Sequence, residues 1–201
     1  MRLQSYIMTL LEAIGALFGL LAVWFLVKEN ILTWPAGIVY CLISFVVFWQ
    51  VKLYQDFLLT GFFLAMNIYG WYAWRHPRKI KKTSGELPIT TSRWQLLMVL
   101  GFISIVLIFI SGYLFQRYTD ASLPYGDATT TILSLSAMWM TARKKIENWV
   151  IWFAVDVLAT IIYFYKGIYF YSALYLLYLG LAVAGYISWK KLMVAQQLKT
   201  I

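Results

Sequence analysis

The sequence predicts an all-α integral membrane protein of seven transmembrane helices in a 3+1+3 parallel repeat, its N-terminus outside and its C-terminus cytoplasmic. Three observations carry that expectation. The composition is 62% hydrophobic and only 12% charged, with a mean hydropathy of +0.73, which are membrane values and not those of a soluble domain of similar length. Seven apolar runs succeed one another at spacings a bilayer would impose. The chain also aligns with itself, without a gap, at an offset of 115 residues.

The runs fall at 7–27, 34–51, 57–74, 94–116, 128–142, 149–165 and 170–189. A transmembrane helix needs roughly 17–25 residues, so the fifth run reaches a span only with its flanks. The start, Met1 and Arg2 followed by an apolar stretch to Val27, has the outline of a signal peptide. Glu12 interrupts it and no small-x-small cleavage site follows, so it is expected to stay as the first helix. The longest polar stretch, 75–93 (RHPRKIKKTSGELPITTSR), contains Pro, Gly and Ser and separates the third span from the fourth.

A net charge of +9 can signal a nucleic-acid partner, but here the basic residues lie in short clusters between apolar runs, so none is expected. On one side of the seven spans lie Lys28, Arg75, Arg78, Lys79, Lys81, Lys82, Arg93, Arg143, Lys144, Lys145, Lys190, Lys191 and Lys199. The other side holds Arg2, Lys52, Arg117 and Lys166. Basic residues resist translocation, which makes the richer side cytoplasmic.

The self-alignment places 12–76 on 127–191. Trp24 meets Trp139, Trp34 meets Trp149, Trp74 meets Trp189, Tyr54 meets Tyr169 and Gly70 meets Gly185. Hydrophobicity alone does not arrange such a register. One membrane domain over 1–201 is therefore expected, with 12–76 as the first three-helix repeat, 94–116 as a linker helix and 127–191 as the second repeat. Parallel repeats of this kind are built by transporters that hold a substrate near the midplane between the halves. Glu12 with Asp127, and Lys28 with Arg143, also match in this register. Acid at a helix start and base at its end complement the macrodipole, which explains these four without a ligand. Trp34, Trp74, Trp149 and Trp189 fall near the inner ends of their spans, where an interfacial belt is as good an explanation as a ligand.

Polar residues deep in an apolar span are more informative, because each costs free energy unless it meets a partner or water. Asp156 falls near the middle of the sixth span, where an aspartate costs about 2.5–3.5 kcal/mol. Its helical neighbours are Trp149, Trp152, Thr160 and Tyr163. Asn67 lies midway along the third span, with Thr60, Phe63, Trp71 and Trp74 on its face. The fifth span adds Thr130, Thr131 and Ser134, and the second Ser44 and, nearer the outside, Gln50. Hydroxyls at such positions bond their own helix as readily as a ligand, and Asn67 and Asp156 could simply fasten helices together. The repeat argues for ligand chemistry at these two: Asp156 pairs with Cys41 and Asn67 with Ala182, so the shared scaffold requires neither.

Other chemistry is sparse. The single Cys41 excludes an intramolecular disulfide framework, and the lone His76 lies in the basic loop beside Pro77. No metal or cofactor is expected, and no cluster of nucleophile, metal ligands or paired acid and base supports an intramembrane enzyme. A small channel remains an alternative.

The string AMNIYGWYAWRHP (65–77) and the run RKKIENWVIWFAVDVLATIIYFYKGIYFYSALY (143–175) resemble the PnuC family of bacterial vitamin transporters. The likeness extends over nearly the whole chain. It implies a seven-helix fold related in architecture to the SWEET sugar transporters, a place in the bacterial cell membrane among lipids, and a homotrimer. It implies uptake of nicotinamide riboside by facilitated diffusion, or of thiamine or riboflavin in other branches. For the first cargo, Trp152, Trp71 or Tyr163 would stack on the pyridinium ring. Asp156 would balance its charge, Asn67 would bond the carboxamide or sugar, and Ser134 and Thr160 would supply hydroxyls.

Overall fold

The computed structural model describes residues 2–50, 54–77, 87–119 and 122–198. Within them the chain forms seven helices: α1 (Arg2–Val27), α2 (Thr33–Gln50), α3 (Tyr54–Arg75), α4 (Trp94–Tyr118), α5 (Pro124–Ala142), α6 (Asn148–Tyr165) and α7 (Tyr169–Leu198). Five of them (α1, α2, α4, α6 and α7) are long and apolar enough to cross a membrane on their own composition. The other two, α3 and α5, carry more polar residues, and they hold the candidates Asn67 and Ser134.

Several element ends differ from the sequence expectation. Pro124 stands in the first turn of α5, where its missing N–H costs nothing, so the fifth helix starts before 128. The last helix runs past Lys190 and Lys191 to Leu198, because that stretch contains good helix formers and no glycine or proline stop. Glu12 lies well inside α1, exposed, and not at a helix start. The dipole account therefore applies to Asp127, in the first turn of α5, and fails for Glu12. Val51, Lys52, Arg78, Lys79, Lys81, Lys82 and Lys199 lie outside the described residues.

The chain forms two compact units, Met1–Leu87 and Pro88–Ile201. In the first, α1 packs on α2 and α2 on α3; in the second, α4 packs on α5, α5 on α6 and α6 on α7. The same local devices occur in both, 115 residues apart. Glu29 (φ 55°) and Lys144 (φ 48°) are the two non-glycine residues with left-handed backbone among those described, a conformation that costs about 1–2 kcal/mol in a residue with a side chain. Each terminates its helix with the same pair of hydrogen bonds. Glu29 N donates to Leu26 O and Asn30 N to Phe25 O, while Lys144 N donates to Thr141 O and Lys145 N to Met140 O. Both are Schellman turns, which satisfy carbonyls the helix end leaves free. Just before them, Lys28 lies over the Trp24 ring at 5.1 Å and Arg143 over Trp139 at 5.4 Å. These cations thus rest on aromatic faces as well as at helix C-termini.

The buried centre of each three-helix set is a tryptophan pair on a glycine. Trp34 meets Trp74 edge to face at 5.2 Å and 87°; Trp149 meets Trp189 at 5.5 Å and 89°. A Cβ on Gly70 would collide with the Trp34 ring, and one on Gly185 with Trp149. Trp34 is 1% exposed and Trp149 2%, so the interfacial-belt expectation is replaced by packing: these rings fill the gap between helix axes.

In the second unit α4 joins α5 through Gly112, whose bare Cα faces the Tyr125 ring, and through a Ser104–Ser136 hydroxyl pair at 3.2 Å. The segment before α4 is fastened to the α5–α6 turn. Thr90 N donates to Lys144 O and Ile146 N to Thr90 O. Ser92 donates to Glu147 from both its backbone N–H (2.8 Å) and its hydroxyl (3.1 Å). Ile89 N donates to Gln196 Oε1 at 3.1 Å, which ties in the end of α7.

Gly70→Ala and Gly185→Ala should each destabilise the purified protein by about 1–3 kcal/mol, the usual cost of overpacking a tight contact. Gly180, with open space around it, is the control. Its alanine variant should keep or raise the thermal midpoint, since alanine favours a helix. Equal midpoints for the Gly185 and Gly180 variants would show that the contact is not tight.

Candidate functional site

Asn67 is held between α3 and α2. Its amide nitrogen donates to Phe63 O, one turn back, at 2.8 Å, and lies 3.8 Å from the buried thiol of Cys41. Its amide oxygen rests on Gly37, where a Cβ would overlap it. Glycine at 37 is therefore what lets an asparagine fit at 67. Thr60, Cys41 and Ser44 are buried on the same two helices, so α2 and α3 share a polar seam. Trp71, one turn beyond Asn67, is 36% exposed on the surface of its unit.

The other five candidates belong to the second unit. Asp156 is 5% exposed, and no described residue donates a hydrogen bond to its carboxylate. One turn earlier, Trp152 donates its indole N–H to Thr141 Oγ1 at 3.3 Å. One turn later, the Thr160 hydroxyl donates back to Asp156 O at 2.7 Å, and Ser172 Oγ donates to Thr160 O at 3.0 Å, linking α7 to α6. The Thr160 hydroxyl thus serves its own helix, as hydroxyls in apolar helices commonly do. Tyr163 stacks on Tyr171 (5.4 Å, 26°) and Tyr175 (5.3 Å, 15°) of α7. Ser134 is buried on α5. A stripe along α6 therefore presents, in order, an indole, a carboxylate, a backbone-bound hydroxyl and a phenol stack.

At the end of α6 distant from Trp152, Asp127 accepts both of its bonds from Lys166 Nζ, at 2.9 and 3.0 Å. Both side chains are partly exposed, and such pairs contribute about 0.2–1 kcal/mol. The bridge fastens the start of α5 to the α6–α7 turn.

Two residues bonded to these candidates escaped the sequence reasoning. Thr141 and Asn148 are fully enclosed, with the Thr141 hydroxyl 2.9 Å from Ala137 O and 3.2 Å from Asn148 Oδ1. Asn148 lies in the E-N-W string, but nothing in that string announces a bond to the preceding helix. Gly37 was legible in principle: the 115-residue register pairs it with Trp152. In the first set α2 offers Gly37 and Cys41 against Asn67 of α3. The corresponding positions in the second set are Trp152 and Asp156 on α6 and Ala182 on α7. Bulk and polarity have changed sides.

Each unit thus carries polar groups inside apolar helices, the α2–α3 seam in the first and the Asp156 stripe of α6 in the second. The chain is 28% identical to the nicotinamide riboside transporter PnuC of Escherichia coli (strain K12), covering 92% of this chain and 87% of that one. It is 25% identical to the riboflavin/roseoflavin transporter RibM of Streptomyces davaonensis, covering 89% and 83%. Among solved structures, the crystal structure of the vitamin B3 transporter PnuC superposes with a TM-score of 0.72 at 22% identity, over 93% of this chain and 83% of that one, which shows the shared fold. The pattern of the family described as nicotinamide mononucleotide transporter matches residues 9–191, and this chain, a multi-pass membrane protein, belongs to that family.

Proposed function

We propose that this protein takes up nicotinamide riboside by facilitated diffusion, with Asp156 opposite the positive charge of the pyridinium. The observation that carries a cationic aromatic cargo is Asp156, a residue 5% exposed whose carboxylate receives no hydrogen bond from a described residue, one turn from the Trp152 indole. A buried charge without a partner is costly, whereas a bound cation would compensate it. An indole beside it offers a π-face that attracts the same cation. Riboflavin, carried by the RibM relative, has a neutral ring system and would leave the carboxylate uncompensated. A mononucleotide would bring a phosphate, which the carboxylate repels. Thiamine is cationic as well, so the carboxylate and indole select a cationic ring, and the choice of the riboside rests on the relatives named for it.

The remaining candidates take subordinate roles in this proposal. Asn67 hydrogen-bonds the carboxamide or sugar, Trp71 and Tyr163 offer rings, and Ser134 and Thr160 line the path. The two three-helix sets act as related halves of one membrane domain, with the N-terminus outside. Transport runs down the concentration gradient, and phosphorylation of the nucleoside in the cytoplasm retains it.

Purified protein in liposomes should show saturable nicotinamide riboside uptake that is unchanged by imposed proton or sodium gradients. Asp156→Asn keeps the shape and removes the charge. It should weaken binding at least about thirtyfold, because removing one member of a buried charge pair costs about 2–5 kcal/mol. Asn67→Ala should also lower uptake. Riboflavin uptake with no response to the riboside would overturn the cargo, and gradient-dependent uptake would overturn the mechanism. For topology, a fluorescent protein fused after Ile201 should fold and fluoresce, whereas alkaline phosphatase fused there should stay inactive; the reverse result would invert the orientation.

A further inference from the structure

Thr141 sits at the crossing of three polar contacts in the second unit. Its hydroxyl oxygen accepts from Trp152 Nε1 at 3.3 Å, and it lies within donating distance of Ala137 O (2.9 Å) and Asn148 Oδ1 (3.2 Å). Asn148 is oriented in turn, because its amide nitrogen donates to Lys145 O at 2.6 Å, which turns its oxygen toward Thr141. A hydroxyl has one proton to give and lone pairs to receive. With two acceptors competing for that proton, the lone pairs are left for the indole. Thr141 and Asn148 are 2% and 0% exposed, so water does not compete for these bonds.

The first three-helix set solves the same problem without this chain of bonds. There the carbonyl equivalent to Ala137 O, Ala22 O, accepts from Thr33 Oγ1 at 2.8 Å. Thr33 is the repeat counterpart of Asn148, Leu26 stands where Thr141 does, and Gly37 stands where Trp152 does. The scaffold therefore needs one hydroxyl on that carbonyl, and α2 supplies it. A hydroxyl at 141 and an amide at 148 occur only in the set that has a tryptophan to hold.

We propose that Thr141 is a positioning residue for the carrier's substrate: its hydroxyl, kept in place by Asn148, fixes the indole of Trp152 one helical turn from Asp156, so that ring and carboxylate meet the same cation. The inference rests on the transport reading above. The indole has two rotatable bonds, and an anchored N–H restricts both, so the ring's ordering cost is met before the substrate arrives. Thr141 does not touch substrate; it acts through Trp152.

The test uses the full-length purified protein, with nicotinamide riboside binding by calorimetry and the indole N–H resonance of Trp152, assigned by its loss in Trp152→Phe. Thr141→Val keeps the shape and removes the acceptor. It should weaken binding about three- to tenfold, the equivalent of one hydrogen bond, and shift the Trp152 resonance. Thr141→Ser should restore both. In the Trp152→Phe background, which has no indole N–H, Thr141→Val should add nothing. An equal loss in both backgrounds would show a packing role and overturn the proposal, as would an unshifted Trp152 resonance in Thr141→Val. Wild-type protein that binds no riboside would instead overturn the transport reading and the substrate role drawn from it, while the resonance would still report whether Thr141 holds the ring.

Discussion

Everything else in the two three-helix sets depends on an indole lying directly on a helix backbone. Trp34 on Gly70 and Trp149 on Gly185 bring the second and third helices of each set as close as an aromatic ring allows. A second tryptophan, Trp74 or Trp189, closes each ring edge to face. Lipid tails are as apolar as leucine, so burial of hydrocarbon does little to drive helices together in a membrane; close packing at small residues does. The glycine gives that closeness, and the tryptophan turns it into a large, shape-specific contact. Once this contact is set, the helices beside it have a defined rotation, and the polar groups one and two turns away have defined neighbours.

Those neighbours are where the two sets diverge. Three residues above the Trp34 contact, Gly37 leaves room that the Asn67 amide occupies. In the second set the same position on α6 is Trp152, and Ala182 replaces the asparagine. The exchange moves the polar group from the third helix of a set to the second. It also changes the chemistry. The amide of Asn67 is bonded to its own helix at Phe63 O, whereas the carboxylate of Asp156 meets no donor among the described residues. The shared scaffold therefore requires neither polar group at its position.

The turns show the opposite behaviour. Left-handed Glu29 and Lys144, their paired hydrogen bonds and the cation–π contacts preceding them match at 115 residues' distance although the side chains at the turns do not. Backbone geometry at a helix end is decided by which carbonyls must be satisfied, and both sets face the same requirement. What differs is what is fastened to the turn: in the second set, the stretch from Ile89 to Ser92 is hydrogen-bonded to it and to Gln196.

The sequence by itself determined the membrane class, the helix count and the 115-residue register, because apolar length and recurring tryptophans are properties of composition and order. It also singled out Asp156 and Asn67, since a polar residue in an apolar run is visible without coordinates. Tertiary structure alone decided which polar groups are already engaged. Thr160 turned out to serve its own backbone, and Trp34, Trp74, Trp149 and Trp189 proved to be buried packing, not an interfacial belt. Thr141 and Asn148 are joined to Trp152 only through contacts across helices. A hydroxyl or an amide carries no mark in sequence of the donor it will meet. That depends on which helix face lies opposite, and helix faces are set by the glycine contacts that bring the indoles in.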